Sequence, residues 1–274
     1  MLKYREYYEK CLGPSIDRVD YLYNFDYKVV QDSHFGQKYK QLINEANKDL
    51  NQKLKDNSNI FTPPGKSQES QPLVRLDNPW GLKNIEEIAE YVIPIVEQQI
   101  FSCSAYVHGC YVYQTRPGDF SKDSVGSLSW HIDNHPKEVI KAMVYLNDVD
   151  ETAAPFEILS GVGQNLGLKV ETKRVDYTQW ASSPFRFTDD FAEEKIKQGY
   201  ESHKIIGPSG TVCYFDNNVL HRANESKSKK RNVIVLMMKP CDHVLDKYIS
   251  REHTGTNYHV DTFRDPSFIG VVEK

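Results

Sequence analysis

The chain has 274 residues, with 34 Lys and Arg against 38 Asp and Glu, a formal charge of −4. Hydrophobic residues make up 39% and charged residues 26%, the balance of a globular protein, which excludes a disordered or fibrous chain. The slight acidity, with a single short basic run at Lys227–Arg231, argues against nucleic acid as a partner. No apolar stretch approaches the ~20 residues that span a bilayer, so no membrane role is expected.

Met1-Leu2-Lys3-Tyr4-Arg5-Glu6 leads into no apolar signal-peptide core, and the expected compartment is the cytoplasm. The five cysteines (Cys11, Cys103, Cys110, Cys213 and Cys241) form no CxxC pair and read as free thiols. Residues 1–35 show no clean period. From Gln37 to Asn57, Tyr39, Leu42, Ile43, Ala46, Leu50 and Leu54 fall on one face of an amphipathic helix. Residues 58–81, with Pro63-Pro64-Gly65 and Pro79, read as a loop. A second helix starts near Asn84 with Glu87 as a capping-box partner, and Pro94 must kink or interrupt it.

After Phe101 the texture changes to short runs rich in Val, Tyr, Ile and Phe. Strands are expected at Ala105–Gln114, Leu128–Asp133, Val139–Leu146, Pro155–Leu159, Thr211–Phe215, Val219–Ala223 and Asn232–Lys239. Short strands separated by turn residues point to a sandwich or barrel rather than to βαβ units. Residues 160–204 read as a long irregular insertion, lid-like, with one short helix at Asp190–Gln198. The expected organisation is a mostly helical region (1–101) packed on a β core (102–240), with a C-terminal extension (241–274), in one domain.

Ser129-Trp130-His131-Ile132-Asp133 is the most informative segment. On a strand end, period-2 alternation sends His131 and Asp133 to one face and Ile132 to the other. His221, on another expected strand, offers a third ligand. Two histidines and one carboxylate on one side of a metal leave positions open, the arrangement of non-haem Fe(II) oxygenases. Arg231 follows ten residues later and opens the apolar run Val233–Met238. An arginine entering a buried strand is costly unless it meets an anion, and its fork suits a carboxylate such as the distal group of 2-oxoglutarate. The alternative is a surface charge in a basic loop.

His131-x-Asp133, His221 and Arg231, in this order, resemble the Fe(II)/2-oxoglutarate-dependent dioxygenases, specifically the phytanoyl-CoA dioxygenase-like group. Tyr145–Asp150 with Pro155–Leu159, and Gly207–Asp216, resemble the group's segments after the first two ligands and before the third. Ser160-Gly161-Val162-Gly163 stands where the group often has Pro-Gly-Ser-His. The resemblance covers about residues 104–240 and implies a mainly β fold with flanking helices, a double-stranded β-helix (jelly roll, cupin-like). It also implies Fe(II), 2-oxoglutarate and O2 as cofactor and cosubstrates, with succinate and CO2 as products. Tyr113, or in reserve Tyr111, is the candidate to help hold 2-oxoglutarate, an ordinary core role being the alternative. Because related halogenases lack the carboxylate, Asp133 implies hydroxylation or a similar oxidation of an unactivated C–H bond in a small-molecule substrate. Trp130, Asn134 and Arg222 flank the ligands as candidate substrate contacts. Two rival readings stand beside this one: a cupin-like metalloprotein that does not use 2-oxoglutarate, and a non-catalytic jelly-roll binding protein.

Overall fold

The computed structural model describes residues 25–62, 71–101, 105–118, 127–133, 139–161, 186–216 and 219–240. In chain order these form β1 (Tyr27–Val30), α1 (Gly36–Lys53), β2 (Ile60–Phe61), β3 (Leu73–Leu76), α2 (Ile85–Val96), β4 (Ala105–Thr115), β5 (Trp130–His131) and β6 (Ile140–Tyr145). There follow β7 (Phe156–Gly161), β8 (Arg186–Phe187), α3 (Asp189–Lys197), β9 (Tyr200–Ile205), β10 (Val212–Asp216), β11 (His221–Ala223) and β12 (Arg231–Pro240).

The strands make two antiparallel sheets, one ordered β1-β10-β6-β12-β4-β3-β2 and the other β8-β5-β11-β7-β9. From β4 to β7, and again from β9 to β12, successive strands alternate between the sheets, so the chain winds as a double-stranded β-helix. Period-2 alternation divides each central strand between two cores. Met143, Tyr145, Cys213, Phe215, Val233 and Val235 of the larger sheet point inward, toward Phe156, Ile158 and Ile205 of the smaller one. Their neighbours Ala142, Val144, Val212, Tyr214, Ile234 and Leu236 point outward, where Tyr39, Ile43, Leu50, Ile88, Val92 and Val96 of α1 and α2 cover them. A third cluster, Trp130, Ile132, Leu159 and Leu220 with Ala192 of α3, covers the outside of the smaller sheet. Cys110 and Cys213 are buried free thiols. No helix among the described residues is long and apolar enough to cross a membrane.

Local departures from expectation have physical causes. Asn84 is the N-cap of α2 through its carbonyl, which accepts from Ile88 N–H, but its side chain does not cap: its φ is 63°, and its amide donates to Glu45 Oε2 (3.2 Å) and the Leu42 carbonyl (3.4 Å) instead. Pro94 sits in the last turn of α2, which passes at once into a π-helical turn at Glu97–Phe101, the response expected where a ladder N–H is missing. The stretch expected to be an irregular insertion contributes β8, α3 and β9. In β9, Tyr200-Glu201-Ser202-His203-Lys204-Ile205 is an exposed edge strand, so it carries no apolar alternation. β3 likewise lies within the expected loop. Gly161–Gly167 beyond its first residue, the 162–185 part of the expected lid, and 241–274 lie outside the described residues.

Candidate metal centre

His131 and His221 meet because β5 and β11 pair antiparallel with these two residues in register. Each ring is oriented by its own backbone: His131 Nδ1 lies 2.8 Å from the Ser129 carbonyl and His221 Nδ1 2.7 Å from the Val219 carbonyl. A carbonyl can only accept, so each Nδ1 carries the proton and each Nε2 presents a lone pair. Both Nε2 atoms turn toward Asp133, at 4.0 Å from Oδ1 for His131 and 3.4 Å from Oδ2 for His221. One ligand atom from each of the three residues lies within 4.8 Å of the others.

Burial, and then the neighbouring His221, push the His131 imidazole down to about 3, against the opposing pull of Asp133. It is therefore neutral near pH 7, the form that binds a metal. Burial works against the Asp133 carboxylate, but the Lys141 ammonium and the two imidazoles outweigh it and hold its carboxyl well below the usual range. Phe156 and Phe215 pack beside His221, with ring centroids 5.2 Å and 5.4 Å from it. Two imidazoles and one carboxylate on one side, in an apolar wall, suit a divalent first-row metal with free coordination positions better than a closed zinc cage.

Arg231 starts β12, opposite Thr115 of β4. It is 0% exposed, the largest fully buried side chain among the described residues, which rules out the reading as a surface charge. Only Nη2 approaches a partner, Thr115 Oγ1 at 3.5 Å, while Nε and Nη1 have none among the described residues. A buried guanidinium with idle donors is a large cost unless an anion joins it. Arg231 has the inward parity of Val233 and Val235, so it shares the inter-sheet space with the triad. Tyr145, whose phenol burial raises, feels both Arg231 and Tyr113. Tyr113 is the register partner of Val233 and inward-facing, and Tyr111 lies one step nearer the triad.

Two expected substrate contacts lie elsewhere. Alternation that brings His131 and His221 inward sends Trp130 and Arg222 outward. Trp130 is buried in the cluster beneath α3, and the Arg222 guanidinium lies 4.4 Å from its ring centre. Arg222 also binds Glu157 Oε2 at 2.7 Å and Asp189 Oδ1 at 3.1 Å. These residues brace the outer face and do not look into the site. Asn134 lies outside the described residues. Conversely, sequence reasoning passed over Lys141, which is 7% exposed and donates to Asp133 Oδ2 at 2.6 Å. Its signal was available: in Ile140-Lys141-Ala142-Met143-Val144-Tyr145 it is the one charge, and it has the parity of inward Met143 and Tyr145.

No family model matches the chain, and no curated protein matches it. Among solved structures it is similar to EctD from S. alaskensis with bound Fe, at TM-score 0.53 and 15% identity, over 86% of this chain and 81% of that one. It is similar also to the non-heme alpha ketoglutarate dependent epimerase SnoN from nogalamycin biosynthesis, at TM-score 0.53 and 12% identity, over 82% of both chains. AviO1 from Streptomyces viridochromogenes Tue57 matches at TM-score 0.50 and 12% identity, over 83% of this chain and 96% of that one. At such identities the likeness is one of fold: the chain has the jelly roll of these proteins.

Proposed function

We propose that the protein is an Fe(II)/2-oxoglutarate-dependent oxygenase, hydroxylating or otherwise oxidising an unactivated C–H bond of a small molecule. The observation that carries the reading is the pairing of two features in one inter-sheet space. A His–Asp–His cluster offers imidazole lone pairs, and a fully buried Arg231 offers two donor nitrogens with no partner among the described residues. A metal accounts for the first; an elongated diacid, chelating that metal at one end and anionic at the other, accounts for the second. EctD of the same fold has been solved with 2-oxoglutarate and 5-hydroxyectoine, which supports that choice of diacid. The motif order His131-x-Asp133, His221, Arg231 further supports a place beside the phytanoyl-CoA dioxygenase-like group. The buried free thiols Cys110 and Cys213 suit the reducing cytoplasm.

In this reading His131, Asp133 and His221 hold the iron, and Arg231, with Thr115 beside it and Tyr113 as a further candidate, takes the distal carboxylate. Iron and 2-oxoglutarate, when bound, would supply the oxidation with O2 as the oxidant, one oxygen atom going to the succinate formed as CO2 leaves and the other to the substrate. The protein's own part is placement. Carbonyl-anchored imidazoles keep their lone pairs aimed without reorganisation, Arg231 fixes the far end of the diacid, and Phe156 and Phe215 keep water from the His221 side. The test is anaerobic addition of Fe(II) and then 2-oxoglutarate to the purified chain. A visible charge-transfer absorption that needs both, and succinate release under air in a metabolite screen, are expected. Iron binding with no response to 2-oxoglutarate overturns the reading in favour of a metalloprotein that does not use it.

A further inference from the structure

Lys141 offers no ligand atom to a metal and lies away from Arg231 and its anion site, yet it is a buried cation beside Asp133. Its row across the larger sheet is Gly109, Met237, Lys141, Phe215 and Tyr27, which brings no anion to it, and Asp133 is its ion-pair partner. Among the described residues, the acidic side chains of the surrounding strands give it no second partner. Asp216 has the helix-facing parity of Tyr214, Glu157 is engaged by Arg222 on the outer face, and Glu201 is exposed on β9.

The formal charges of the loaded site can then be counted. A divalent metal and Asp133 leave one positive charge, Arg231 adds a second, and a dicarboxylate cosubstrate cancels both. Lys141 is left over, in a space where an uncompensated charge is costly. We propose that the substrate is an organic anion, presenting a carboxylate-sized group to the Lys141 ammonium once Asp133 shares its charge with the metal. The inference rests on the proposed function above, and deepens it by naming the substrate's chemical class.

The test uses the whole chain loaded with Zn(II), which cannot turn over, and saturating 2-oxoglutarate. Butyrate and cyclohexanecarboxylate are titrated in parallel with butyramide and cyclohexanecarboxamide, followed by calorimetry and thermal melting. The acids should bind about tenfold tighter than their amides, or more, the scale of one charge-assisted hydrogen bond. Lys141→Met, measured at saturating Zn(II) and 2-oxoglutarate, should abolish that preference. Equal binding of acid and amide by the wild-type chain overturns the proposal without needing any variant. So does an acid preference that survives Lys141→Met, which would place the acid at Arg231 or the metal. Loss of Zn(II) binding in Lys141→Met assigns Lys141 to holding Asp133 and likewise overturns it. A wild-type chain that responds to neither Zn(II) nor 2-oxoglutarate refutes the underlying oxygenase reading instead.

Discussion

His131 and His221 face each other across the β5–β11 pair with ring centroids 4.3 Å apart, each held by the carbonyl two residues before it. Backbone geometry alone thus sets both tautomers, so the metal-free fold is already arranged for binding. Replacing either imidazole removes a ligand without removing a strand. His131→Ala and His221→Ala should each weaken Co(II) or Fe(II) binding by about a hundredfold or more, with a cooperative melt retained. Titration calorimetry beside circular dichroism separates the outcomes: loss of folding would make the histidines structural.

Arg231 makes a sharper prediction because its two roles pull in opposite directions. With Nε and Nη1 unpartnered among the described residues and the side chain fully buried, it burdens the ligand-free chain. Arg231→Met should raise ligand-free stability by about 1–3 kcal/mol while removing the stabilisation that 2-oxoglutarate gives. Metal binding should persist. Urea melts with and without 2-oxoglutarate measure both effects, and a destabilised ligand-free variant would contradict the argument.

The residues of the candidate site were legible because their spacing is local or their setting anomalous. His131 and Asp133 are two apart on a strand end, and Arg231 is a charge opening an apolar run. Alternation also fixed the inward and outward faces, but it could not say that Trp130 and Arg222, on the outward face, are held there by Glu157, Asp189 and α3. That depends on which helix packs where. β9 was illegible because an exposed edge strand buries one face weakly and has no pattern to read. Lys141 stood out as the one charge in an apolar strand, but its partner, Asp133, just past β5, could be named only from the fold.

The outer brace should show itself in acid. Burial works against the Glu157 carboxylate, but hydrogen bonds from Arg222 and Ser202 outweigh it and hold its carboxyl below the ordinary value. The folded chain therefore releases this proton more readily than the unfolded one. The stability it contributes is present above the unfolded value of about 4.3 and is lost as pH falls through the lower folded value. Glu157→Gln should cost about 1–3 kcal/mol near neutrality and flatten the stability profile below pH ~4.3. Denaturant melts across that range provide the measurement.

Beside Arg231, Asn232 anchors the strand that carries it. Its buried amide donates to Asn47 Oδ1 at 2.6 Å and Asn51 Oδ1 at 3.3 Å, and accepts from Gln114 Nε2 at 2.8 Å. Its backbone N–H donates to Asn147 Oδ1 at 2.6 Å. One side chain thus ties α1 to β4 and β12, directly behind the guanidinium. Asn232→Ala should cost about 2–3 kcal/mol, since several part-buried polar groups lose their partner at once. It should also loosen 2-oxoglutarate binding with little change at the metal, because β12 carries Arg231 while the triad sits on and beside β5 and β11. Urea melts and separate titrations of metal and 2-oxoglutarate read the two effects. An equal loss of both ligands would mean that the network supports the whole barrel rather than the diacid end of it.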